Sequence, residues 1–267
     1  MDSEEPYVVT APAGWKPNAH ETLAAENILY PELAAHGQLS RAIQAAANEL
    51  AVDLGPVVSD ESDPRRSARV GTTVPDREPM SIGIGAVERW FVITGWGLGV
   101  QLVSGATPDL AEVVRAAAAW RSGATLSEIQ EAATFVDVSD LARAHERGPA
   151  DAVAEKWRLL RLDWSSDDRN RFVSDVIEAA FSVPALRQLF PYTSHAYLCF
   201  SRCTGFPYSD DTPIIDPSHD GGYVVRDRSM GAVIGEADTA EGAIAILVAH
   251  LPPDLGPARA GTADLPT

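Results

Sequence analysis

Apolar residues recur with helical spacing from Pro31 to Leu54, where Leu39, Ile43, Ala46, Leu50 and Leu54 fall three or four positions apart. The pattern predicts a helix with Ser40 as a capping hydroxyl, ended by Gly55-Pro56. Ser59 to Arg69 reads as a charged linker. The period then changes. Val70–Val74, Met80–Gly85, Trp90–Thr94 and Leu98–Val103 read as strands, with Gly95-Trp96-Gly97 as a hairpin turn. Thr107-Pro108-Asp109 is a helix start, with Leu110, Val113, Val114 and Ala117 facing inward. Thr125 and Glu128 form a capping-box pair, and Ser139 opens the segment Asp140–Glu146. Helices through Val153, Trp157 and Leu160, and from Asp167 to Phe181, lead back to strands. These are His195–Cys203 and a hairpin of Tyr223–Asp227 with Ala232–Glu236. Thr239 caps a last helix that stops at Pro252-Pro253.

A gapless offset of 132 lays Phe91–Ala117 on Tyr223–Ala249. Val92/Val224, Gly99/Gly231, Thr107/Thr239, Ala111/Ala243 and Ala117/Ala249 are identical. Each unit reads as a hairpin whose apolar face is covered by the helix that follows. The fold class expected is α+β, with two similar strand-turn-strand-helix modules and with intervening and N-terminal helices. Residues 1–20 read as a flexible arm, 21–138 as an N-terminal α+β module, and 139–267 as a helical segment plus a C-terminal α+β module. The two modules can also be one continuous domain.

Composition narrows the function. With 21 basic and 38 acidic side chains in 267 residues, the net charge is −17. That charge repels a phosphate backbone and an anionic membrane surface, so neither nucleic acid nor membrane is an expected partner. The acidic, polar N-terminus does not read as a secretory signal, which makes the cytoplasm the expected location. Two cysteines, Cys199 and Cys203, make no disulfide framework.

The densest polar stretch is Thr193–Tyr223. On a continuous strand, His195, Tyr197, Cys199, Ser201 and Cys203 share one face, while Ala196, Leu198 and Phe200 share the other. Positions four apart on a strand are separated by about 13 Å, too far for His195, Cys199 and Cys203 to share one zinc ion. No metal and no cofactor is expected. His195 and His219 are the acid–base candidates, because unshifted imidazole titrates near neutrality. Tyr197 is a proton donor, Asp210 and Asp211 are orienting carboxylates, and Ser201, Arg202 and Asp216 are substrate-binding candidates. The competing reading is plainer. Asp-Asp-Thr-Pro and Asp-Pro-Ser-His-Asp-Gly-Gly are turn chemistry, and Arg202 belongs to an ordinary ion pair. Gly95-Trp-Gly-Leu-Gly99 lacks the spacing of a dinucleotide fingerprint, and His145-Glu146 lacks the second histidine of a zinc-protease helix.

The runs LFPYTSHAYLCFSRCTGFPYSDD, DGGYVV, GEADTAEGAIAILVAHLPP and GPARAGTADL resemble an uncharacterised actinobacterial domain-of-unknown-function family, frequently labelled a natural product biosynthesis protein. AHERGPADAVAEKWRLLR is similar to that family too, so the resemblance spans 139–264. It implies a secondary-metabolite context and carries no catalytic residues over. Two functions follow as expectations. One is a cofactor-independent acid–base enzyme of cyclase, isomerase or hydrolase type, acting on a small metabolite or peptide intermediate. The other is a non-catalytic accessory protein that docks a basic protein or peptide partner.

Overall fold

The computed structural model describes residues 19–165, 171–218, 221–228 and 231–265. Three short helices, α1 (Ala19–Leu29), α2 (Pro31–His36) and α3 (Leu39–Glu49), precede a six-stranded antiparallel meander. Its strands are β1 (Val57–Ser59), β2 (Ser67–Val70), β3 (Met80–Ile84), β4 (Phe91–Gly97), β5 (Val100–Thr107) and β6 (Val136–Asp137), paired in chain order. α4 (Leu110–Ser122) and α5 (Leu126–Ala132) lie between β5 and β6. α6 (Asp140–Arg147), α7 (Pro149–Trp164), α8 (Arg171–Ser182) and α9 (Pro184–Arg187) then lead to a second meander. It runs β7 (Phe190–Ser194), β8 (Tyr197–Ser201), β9 (Ile214–Ser218), β10 (Gly222–Arg226) and β11 (Val233–Ala237), and α10 (Ala240–Ala249) follows.

The alternation of β4 explains the first core. Phe91, Ile93 and Gly95 point inward, and Val92, Thr94 and Trp96 point outward. Phe91 and Ile93 join Val113, Val114, Ala117 and Trp120 of α4 and Leu39 and Ile43 of α3 in one apolar cluster. A second cluster gathers Trp157 of α7, Val176 and Ile177 of α8, Leu198, Phe200, Ile215 and Val225 of the second sheet, and Leu247 of α10. The fold is therefore α+β, with a hairpin covered by its following helix in each half.

Several boundaries differ from the sequence pattern, each for a local reason. The helix expected over 31–54 is broken at Gly37, whose φ of +80° closes α2 in the left-handed region. Gln38 rather than Ser40 precedes α3, and the Ser40 hydroxyl instead meets that of Ser59 at 2.6 Å. The turn after β4 is Leu98-Gly99, both at positive φ, two residues beyond the one expected. Gly95 stays in the strand, paired with Val103 of β5, and any Cβ there would meet Val103 at 2.7 Å and Trp120 at 2.9 Å. Asp109, not Thr107, caps α4 by accepting the Ala111 N–H at 2.8 Å. The segment read as a charged linker contains the last residue of β1 and most of β2, and the long loop after Cys203 contains β9. The capping box at Thr125 and the caps at Ser139 and Thr239 are present as read.

Candidate functional site

The chain around His195 does not form one strand. His195 and Ala196 are the two-residue turn between β7 and β8, with φ of +58° and +124°. The exposed His195 therefore sits at a hairpin tip, and its Nδ1 lies 3.4 Å from the neighbouring Ser194 hydroxyl. His195 is thus off the face where strand alternation placed it. Tyr197 and Cys199 remain on that face and register with Ser194 and Tyr192 of β7. Leu198 and Phe200 go to the other face and the core.

A pocket of about 180 Å³ opens on the Tyr197–Cys199 face. Tyr192, Ser194, Tyr197 and Cys199 line it from the sheet, Ile214 from β9, and Ser209, Asp210 and Thr212 from the loop between β8 and β9. That loop is held down by buried hydroxyls. Ser201, fully buried, accepts the N–H groups of Cys203 at 3.0 Å and Ser209 at 3.1 Å, and donates to the Cys203 carbonyl at 2.7 Å. Thr212 donates to the Phe200 carbonyl at 2.8 Å, and the Ser209 hydroxyl accepts the Arg202 N–H at 2.8 Å. Tyr208 stacks on Tyr192 with ring centres 4.5 Å apart and also touches Phe190 and Phe206. The three rings around Tyr208 and five side-chain-to-backbone bonds thus fix the pocket's loop wall.

Burial sets its chemistry. It pushes the Cys199 thiol up to about 11, against a smaller opposing effect of its hydrogen bond with Tyr192. Cys199 is therefore a thiol at neutral pH and not a nucleophilic thiolate. Burial, with Cys199, Tyr208 and Asp210 nearby, also raises the Tyr192 phenol. The inner wall is neutral and rich in donors, and the carboxylate of Asp210 stands at the exposed rim.

The other expected site residues have structural partners. Arg202 pairs with Asp211 at 2.9 Å and with Asp254 at 3.2 Å. Burial acts to raise the Asp211 carboxyl, but the hydrogen bonds from Arg202 and Ser209 outweigh it and hold the group below its usual range. Asp216 on β9 pairs across the sheet with Arg226 at 3.4 Å. His219 lies outside the described residues. Of the expected set, the pocket brings together Tyr197 and Asp210. It keeps Cys199 beside Tyr197, as strand alternation placed them, and adds Tyr192 and Thr212, which a strand reading that began at His195 had no means to assemble.

A second cavity, of about 260 Å³, lies between the two halves. Arg77, Leu98 and Leu102 line it from the first half, His145, Glu146 and Pro149 from α6 and α7, and Thr204 and Gly261 from the second half. Arg77 stacks on Trp120 at 4.6 Å and donates to the carbonyls of Trp120 at 3.3 Å and Ala124 at 2.7 Å. Glu146 lies 3.9 Å from Arg77 and accepts the Leu126 N–H at 2.8 Å. Its polar groups thus hold α5 and the loop before β3 in place. Among the described residues no three His, Cys, Asp or Glu side chains gather as a metal-holding group. No helix there is long and apolar enough to cross a membrane.

The model of a family of unknown function (DUF6193) matches residues 151–262. No curated protein and no solved structure matches the chain. The matched stretch runs from α7 to the C-terminal tail. It contains every residue of the sheet-face pocket, whereas the cavity between the halves takes most of its lining from outside it.

Proposed function

We propose that this is a binding protein for a small metabolite or peptide intermediate of natural-product biosynthesis, in the cytoplasm of an actinobacterium. The ligand occupies the pocket framed by Tyr192, Tyr197, Cys199, Asp210 and Thr212. The observation that carries the reading is the fixed, mostly apolar pocket whose buried thiol and phenol are kept protonated, beside a histidine that stands outside the lining. Such a wall offers hydrogen bonds and ring faces without a strong base, which suits recognition better than proton transfer. The separate apolar clusters support reading residues 139–267 as the module that presents the pocket.

Native mass spectrometry of the full chain, incubated with a small-molecule extract of a producing strain, tests this. Ser194 lies at the exposed end of β7 and lines the pocket, so Ser194→Trp fills it without disturbing the core. The expected result is a discrete adduct on the wild type that falls at least tenfold in Ser194→Trp. An equal adduct on both proteins, or none on either, overturns the reading.

One observation favours a catalytic second reading: Tyr197 and Asp210 line the same pocket. There Asp210 takes a proton and Tyr197 gives one. His195→Asn keeps the left-handed turn, and on either reading it leaves adduct formation unchanged. Chemical conversion of the bound molecule by the wild type, lost in Tyr197→Phe, would select the enzyme.

A further inference from the structure

We infer that the group recognised in the sheet-face pocket is a protonated amine, so that the ligand is a small organic ammonium compound. The inference rests on the pocket being the binding site. Among the described residues its lining contains one carboxylate, Asp210, and no Lys, Arg or His side chain. The remaining polar atoms belong to two phenols, a thiol and three hydroxyls, of Tyr192, Tyr197, Cys199, Ser194, Ser209 and Thr212.

An anionic ligand meets no countercharge there and is repelled by Asp210 and by a chain of net charge −17. A neutral ligand gains hydrogen bonds alone. An ammonium gains the rim carboxylate and also the aromatic lining of Tyr192 and Tyr197, since a cation within about 6 Å of a tyrosine ring is attracted by its negative face. The Thr212 and Ser209 hydroxyls are already committed to the loop's own bonds. Among the described lining residues, Asp210 is the charged group that attracts a cation. Burial holds Tyr192 neutral, so it does not neutralise a bound cation as a phenolate. A pocket of about 180 Å³ suits a compact head group better than an extended polyamine.

Benzylamine and benzyl alcohol are the probes, because they share a ring and differ in the charged head. Ligand-observed NMR titration of the full chain should show benzylamine at least tenfold tighter than benzyl alcohol, the difference shrinking as salt rises. Asp210 is exposed, so Asp210→Asn should keep the wild-type near-ultraviolet circular dichroism and bring the two affinities within twofold. Equal binding of both probes to the wild type, abolished by Ser194→Trp, overturns the ammonium inference and leaves the pocket standing. A preference that survives in Asp210→Asn, or no binding of benzylamine, also overturns it. The fate of the pocket reading is then decided separately by the adduct and its loss in Ser194→Trp.

Discussion

His145 shows how one residue's surroundings decide its part. It lies at the C-terminal end of α6, its ring centre 5.9 Å from that of Phe190, and its buried Nε2 has no hydrogen-bond partner among the described residues. Burial, helped by the nearby Lys156 ammonium, pulls its pKa from 6.5 down to about 4. The imidazole is neutral in the folded chain, where protonating it would place a second cation beside Lys156. The sign follows from linkage. Above pH 6.5 the group is neutral folded and unfolded and costs nothing. As pH falls from about 6.5 toward 4, the unfolded chain takes up the proton first and stability is lost. Urea unfolding at pH 7.5 and at pH 5 should therefore give a lower midpoint at pH 5, and His145→Gln should reduce that drop. A variant with the wild-type drop would remove His145 from the account. The same lesson applies to Ser201, Arg202 and Asp216, whose residue types read as binding groups. Their neighbours turn them into a loop anchor, a bridge to Asp254 and a cross-strand pair.

At the scale of elements, the tip of the β4–β5 hairpin meets the loop after β8. The Phe206 N–H donates to the Gly99 carbonyl at 2.9 Å, and the Gly205 N–H to that of Gly261 at 2.8 Å. A Cβ on Gly205 would lie 1.8 Å from the Leu98 carbonyl oxygen, a backbone atom that has nowhere to go. Gly205→Ala should cost about 2–3 kcal/mol, read as a lower urea midpoint. Gly37→Ala, whose new Cβ meets nothing within 4 Å, should cost only about 1 kcal/mol for its left-handed φ. If the two substitutions cost the same, the hairpin and the loop do not touch as described.

Elements with strong local chemistry were legible from the chain. The Thr125 capping box, the Ser139 and Thr239 caps and the alternation of β4 each need only neighbours within a few residues. Elements decided by distant contacts were not. Gly95-Trp96-Gly97 carries turn composition, yet it pairs with Val103, Gln101 and Val100 of β5 as strand, and the close approach of Val103 and Trp120 leaves no room for a side chain at Gly95. β9 reads as loop because its Asp216 and Pro217 are poor strand formers, and it is recruited by pairing with β10 and with Leu198 of β8. The His195-Ala196 turn has neither glycine nor asparagine to announce it, so a hairpin looked like one long strand. Tyr197 and Asp210 were nonetheless visible as candidates, whereas Tyr192 became one only when that strand folded back on itself.

At the scale of the whole molecule, an acidic chain presents two apolar cores, each formed by a meander and its helices. They meet along the Leu98-Gly99 hairpin tip and the tail around Gly261. The net charge of −17 argues against polyanions, and the pocket lining repeats that sign at close range through Asp210. Charge at the two scales points to the same kind of ligand, a small cation. The most direct measurement is a crystal structure of the full chain bound to the molecule retrieved from the extract. The account predicts density between Tyr192, Tyr197 and Asp210, with a nitrogen within hydrogen-bond distance of the Asp210 carboxylate. Density confined to the cavity around Arg77 and His145, with the sheet-face pocket empty, would contradict it.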